Sequence, residues 1–74
     1  MKVKVKLFAT LQKKGFQGGD LELSCGATVQ SLLDRLNIGV ADVGILVVNA
    51  RDATFDQILK EADVVTIIPP IGGG

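Results

Sequence analysis

Only one long stretch of this chain carries helical spacing, and that limits how its strands can be covered. Val29, Leu32, Leu33 and Leu36 fall at i, i+3, i+4 and i+7, behind Thr28 as an N-cap and ahead of Asn37 to Gly39, which suit a left-handed end. One amphipathic helix covers one face of one sheet. Any strand that is apolar on both faces must therefore leave one of them bare.

The strands are legible from their alternation. Lys2-Val3-Lys4-Val5-Lys6-Leu7 puts Val3, Val5 and Leu7 on one face and three lysines on the other. The lysines read most simply as a solvated face that discourages edge pairing, although they could also meet an acidic partner. After Lys13-Lys14-Gly15 and the turn-rich Gly18-Gly19, Asp20 to Cys25 alternates again, with Leu21, Leu23 and Cys25 expected inward; the two strands form a hairpin. Ile45 to Val48 is a third strand, and Asn49-Ala50-Arg51-Asp52 turns the chain with Ala50 where glycine is commoner. Thr54 to Lys60 is expected to be a short helical or 3₁₀ segment that sets Phe55, Ile58 and Leu59 against the core, before a last strand at Val64 to Ile68.

The order is strand, strand, helix, strand, short segment, strand, with first and last strands long enough to pair at the centre. It predicts an α+β chain of β-grasp type: a mixed four- to five-stranded sheet with one main helix packed on one face. The domain is expected to span residues 1–68, with 69–74 as an extended tail.

Composition excludes more than it suggests. A chain of 74 residues makes one domain that buries only about 60% of its unfolded surface, with little room for a cofactor cavity beside the core. Eight basic and eight acidic residues cancel, which gives no field to hold nucleic acid or an anionic membrane. No apolar run nears the ~20 residues needed to span a bilayer, and Met1 to Lys4 lead straight into a strand rather than a signal peptide, so a cytoplasmic location is expected. With no histidine, Ser-His and Cys-His pairs are ruled out, and a single cysteine offers no ligand cluster for zinc or iron–sulfur. No metal and no bound cofactor are expected, nor catalysis by the chain alone. On this pattern Cys25 is a small core residue.

Two features remain. If Val65 and Ile67 share the phase of Val3, Val5 and Leu7, then Ile45, Val47 and Ile68, with Phe8 nearby, lie on the bare face. A contiguous apolar patch there marks a protein contact, unless loop residues fold over it. The other feature is the ending Pro69-Pro70-Ile71-Gly72-Gly73-Gly74. Prolines fix φ and favour an extended exit, while glycine, lacking Cβ, can enter a channel too narrow for other residues. At polyproline pitch Pro69 to Gly74 reaches roughly 19 Å, which suits delivery of its carboxylate into another protein's active site. Glycine-rich ends also occur as frayed termini or expression remnants. Here, however, the tail follows an apolar strand with no polar linker between.

Taken together, Val5-Lys6-Leu7-Phe8-Ala9-Thr10-Leu11, Gly26-Ala27-Thr28-Val29-Gln30-Ser31-Leu32-Leu33, Val47-Val48-Asn49 and the ending from Ala62 to Gly74 resemble the MoaD/ThiS ubiquitin-like sulfur carriers. The likeness runs from end to end and is nearest to the branch that supplies small subunits of molybdopterin synthase. Its specific part is the Pro-Pro-x-x-Gly-Gly close. The resemblance implies that a ubiquitin-activating-enzyme-like adenylyltransferase uses ATP to adenylate the Gly74 carboxylate, and that a sulfur donor converts it to a thiocarboxylate. A molybdopterin synthase large subunit would then receive the sulfur for the dithiolene of a molybdenum or tungsten cofactor. Gly72 and Gly73 would thread the partner's channel, and Phe8, Ile45, Val47, Ile68, Pro69 and Pro70 would contact it. ATP would belong to the activating partner.

The family commonly has Ala or Ser where Gly72 stands and often Gly where Ala50 and Ala62 stand. The same end would serve a carrier for thiamine thiazole or cysteine synthesis, or a ubiquitin-like modifier joined through Gly74 to lysines. A plain interaction domain with an inert tail is the remaining alternative. Pro69-Pro70 and Leu7-Phe8-Ala9 favour the molybdopterin branch.

Overall fold

Alternation in the first strand holds residue by residue: β1 (Lys2–Leu7) buries Val3, Val5 and Leu7 and exposes its three lysines. The structure, a computed structural model, describes residues 1–8 and 18–70. The expected turn at Lys13-Lys14-Gly15 and the glycines 72–74 lie outside the described residues. The elements that follow β1 are β2 (Gly19–Glu22), α1 (Val29–Arg35), a 3₁₀ turn at Val40–Asp42, β3 (Ile45–Val48), β4 (Arg51–Asp52) and β5 (Val64–Ile68).

They form one mixed five-stranded sheet in the order β2-β1-β5-β3-β4. First and last strands pair in parallel at the centre, while β2 and β3 flank them antiparallel. The register aligns the inward residues: Val5 with Val65, Leu7 and Leu46 with Ile67, and Val48 with Val65. Val65 and Ile67 are fully buried, as their phase predicts, against Val29, Leu32 and Leu33 of α1. Each such side chain contributes roughly 1.5–3 kcal/mol on burial, so the two central strands and the helix carry most of the core.

The helix has the ends its sequence predicts. Thr28 accepts from the Ser31 N–H at 3.2 Å while its own N–H donates to Ser31 Oγ, a capping box. At the other end Asn37 takes a positive φ of 59°, the Asn37 N–H donates to Asp34 O and the Ile38 N–H to Leu33 O. That pair of bonds is a Schellman motif, and it folds Ile38 back into the core.

Two expectations fail. Cys25 is exposed, not inward. β2 stops at Glu22, and a turn closed by the Ala27 N–H to Ser24 O bond puts Cys25 at its corner beside Gly26 at φ 86°. The second failure is Thr54 to Lys60, which is not helical. Its backbone groups pair across space with the start of α1: Val29 N–H to Gln57 O, Gln30 N–H to Phe55 O, and Leu59 N–H to Ala27 O. Leu59 is buried and Phe55 packs partly on the core, but Ile58, bridged to Thr28, is 60% exposed.

The Asn49-Ala50 turn forms with positive φ at both residues, 53° and 67°, and lets Val48 pair with Arg51. These are the angles of a type I′ hairpin, which alanine adopts only against its steric preference.

Candidate functional site

The register that buries one face of the sheet decides what the other carries. On the β2–β1 half, Lys2 lies opposite Glu22 and Lys4 opposite Asp20, cross-strand neighbours of opposite charge. On the β5–β3 half, Ile45 lies opposite Ile68 and Val47 opposite Thr66, and Phe8 follows the Leu7–Ile67 pair. Phe8 and Ile45 are 47% and 43% exposed; Val47 and Ile68 are half-buried. The four apolar residues singled out in the sequence thus come together on the uncovered face, around the last residue of β5.

From that point the tail departs. The Phe8 N–H donates to Ile67 O at 3.3 Å and the Gly44 N–H to Ile68 O at 2.8 Å, so the last two carbonyls of β5 are held from opposite flanks. Pro69 and Pro70 have no N–H to extend the ladder, and pairing ends there. Pro69 is half-buried and Pro70 exposed. The exit therefore has a fixed origin beside the apolar patch. Sequence reading does not single out Gly44; its only signal is a glycine directly before a strand, where no turn pattern calls for one.

The opposite end of β5 is anchored by a polar cluster. Asp63, the one buried charged residue among those described, accepts from Asn49 Nδ2 at 2.8 Å and from the Lys60 N–H at 2.7 Å. A carboxylate only accepts, which fixes the Asn49 amide with its oxygen toward the Val64 N–H, 2.9 Å away. Among the described residues no buried side-chain polar atom is left without a partner. Beside this cluster lies a groove of about 520 Å³ lined by Asn49, Arg51, Asp52 and Lys60 among others, and it contains none of the residues expected from the sequence to contact a partner. Among the described residues no group of His, Cys, Asp and Glu could hold a metal ion, and no helix is long and apolar enough to cross a membrane.

Comparison with known proteins gives this geometry its class. A Pyrococcus furiosus protein provisionally assigned as molybdopterin converting factor, subunit 1, is 30% identical over 96% of this chain and 99% of its own, with a TM-score of 0.76. SAMP1 from Haloferax volcanii superposes over the whole of both chains with a TM-score of 0.79 at 22% identity. A chain from the protein–protein complex of subunit 1 and 2 of molybdopterin-converting factor from Helicobacter pylori also matches over the full length of both chains, with a TM-score of 0.68 at 20% identity. At those identities the last two speak for the fold alone. No curated protein sequence matches the chain. The fold is that of the ubiquitin-like, β-grasp sulfur carriers. The ThiS family model matches residues 5–74, and the chain belongs to that family.

Proposed function

We propose that this chain carries sulfur, as a thiocarboxylate on Gly74, for synthesis of a pterin-based molybdenum or tungsten cofactor. The observation that carries the reading is the β5 exit: two held carbonyls and two prolines lead the chain out beside Phe8, Ile45, Val47 and Ile68, in a ThiS family member whose residues 72–74 are glycine. A protein seated on that patch would receive the tail at its own interface, so docking and delivery become one event.

A carboxylate is a poor electrophile. In the adenylyltransferase a Gly74 oxygen attacks the α-phosphorus of ATP, and pyrophosphate leaves. Hydrosulfide, or its equivalent from a donor, then attacks the acyl carbon; AMP leaves, a proton is lost, and the thiocarboxylate remains. Its charge rests largely on a soft sulfur, the nucleophile that the large subunit of molybdopterin synthase presents to the pterin precursor. Hydrolysis of the resulting thioester returns the Gly74 carboxylate, and two such transfers supply the two dithiolene sulfurs. The acids and bases of these steps belong to the partners, while the chain contributes a docking face and a nucleophile.

The choice of a molybdopterin partner is supported by the 30% identical Pyrococcus furiosus protein, and the Helicobacter pylori complex offers a precedent on the same fold for pairing with a second subunit. Thiocarboxylated chain incubated with large subunit and pterin precursor is expected to yield the dithiolene product. Removal of Gly73 and Gly74 is expected to abolish transfer while leaving the melting temperature within about 2 °C, since a terminal pair buries little. Transfer by the truncated chain would refute the proposal. If the chain conjugates instead, branched Gly-Gly remnants on cellular lysines would appear in place of the dithiolene.

A further inference from the structure

Gly44 has no left-handed φ that would call for glycine, unlike Gly26 at φ 86°. What calls for it is space. A β-carbon at residue 44 would lie 2.6 Å from Pro70 Cα, 2.7 Å from Pro70 N and 2.8 Å from the Pro69 carbonyl carbon. All three are backbone atoms, so no rotamer change relieves the contact. Carbon atoms settle about 3.5–4.0 Å apart, and the strand start and the proline pair would have to separate by about 1 Å.

Neither side yields easily. Both prolines have φ locked, and Ile68 and Pro69, each preceding a proline, are held extended. On the other side the Gly44 N–H is bonded to Ile68 O at 2.8 Å. With Ile68 as pivot, a 1 Å shift at Pro70, roughly 7 Å away, tilts the exit by about 8°.

We infer that Gly44 is a positioning residue for the reactive end: its missing β-carbon sets the angle at which Pro69-Pro70 leaves the sheet. The inference rests on the carrier reading above. Its role differs from that of Phe8, Ile45, Val47 and Ile68, which keep their own side chains when Gly44 changes.

The test compares Gly44→Ala, Pro70→Gly and the double variant as substrates of the adenylyltransferase, with kcat and KM for thiocarboxylation resolved. Gly44→Ala is expected to lower kcat at least ~10-fold, with KM within about threefold, because misplacement of the exit by about 1 Å acts on the chemical step. In the Pro70→Gly background the same substitution is expected to cost less than about threefold, since a glycine at 70 can rotate away from the added methyl. An unchanged kcat in Gly44→Ala, or an equal loss in both backgrounds, overturns the inference.

A magnetisation-transfer contact between the α-protons of Gly44 and Pro70 reads the geometry without activity. It is expected in the wild-type chain, and its absence there would also overturn the inference. A wild type that keeps this contact yet takes up no sulfur refutes the carrier reading, and with it the role assigned to Gly44, while the geometry stands.

Discussion

Ile45 gives the most direct handle on the docking face. It is 43% exposed, so a partner covering it removes slightly less than half of the side chain from water. Full burial of an isoleucine contributes about 1.5–3 kcal/mol, and covering the remaining share therefore contributes about 1 kcal/mol. Ile45→Ala is expected to weaken binding to the large subunit by that amount, about fivefold in Kd. Ile45→Asp adds the desolvation of an unpaired carboxylate, at least about 2 kcal/mol, for a total near 3 kcal/mol and a loss of more than ~100-fold. The folded state loses less, because substitutions at exposed strand positions span only about 1 kcal/mol.

Titration calorimetry against the large subunit measures Kd, and two-dimensional amide spectra verify the fold. Ile58→Asp is the control: Ile58 is more exposed than Ile45 but sits in the connection bridged to Thr28, off the open sheet face, and a change under about twofold is expected. A folded Ile45→Asp variant that binds within about threefold of wild type, or an equal loss in Ile58→Asp, would refute the assignment of this face.

Three further outcomes follow from local geometry. Asp63→Ala leaves Asn49 Nδ2 and the Lys60 N–H without their acceptor, and urea unfolding is expected to register a loss of about 2–3 kcal/mol with sulfur uptake intact below the transition. Ala50 and Ala62 hold positive φ of 67° and 70°, so Ala50→Gly and Ala62→Gly together are expected to raise stability by about 1 kcal/mol, relief of strain exceeding the entropy cost of glycine; a lower urea midpoint would contradict this. Cys25→Ser, at an exposed turn corner, is expected to change stability by less than about 0.5 kcal/mol, whereas a core cysteine would cost several times more.

Strand phase was the most legible part of this molecule. The lysine–valine alternation of β1 fixes which face is inward, and the parallel pairing of β1 with β5 carries that phase to Val65 and Ile67 and, by exclusion, to Ile68 on the open face. The placement of Phe8, Ile45, Val47 and Ile68 on the open face follows from the same rule. What misled was local spacing whose partners are distant. Phe55, Ile58 and Leu59 stand at helical intervals, yet their backbone is taken up by Ala27 to Gln30, 25 to 32 residues earlier in the chain, and nothing in the segment itself announces that pairing. Cys25 extended an alternation past the point where Ser24 to Ala27 turns. β4 has only Arg51 and Asp52, too short to carry a period. Gly44 could not be read at all, because the reason for it lies in Pro69 and Pro70, which the antiparallel pairing of β3 with β5 sets against it.

The central claim is that Gly74 is an activated end. The chain incubated with its adenylyltransferase, ATP, magnesium and sulfide, and then weighed intact, tests it most directly. A gain of about 16 Da, one oxygen replaced by sulfur at the activated carboxylate, is the expected result. An unchanged mass, with an enzyme shown to be active on its own carrier, would contradict the claim and leave a ubiquitin-like domain whose tail carries nothing.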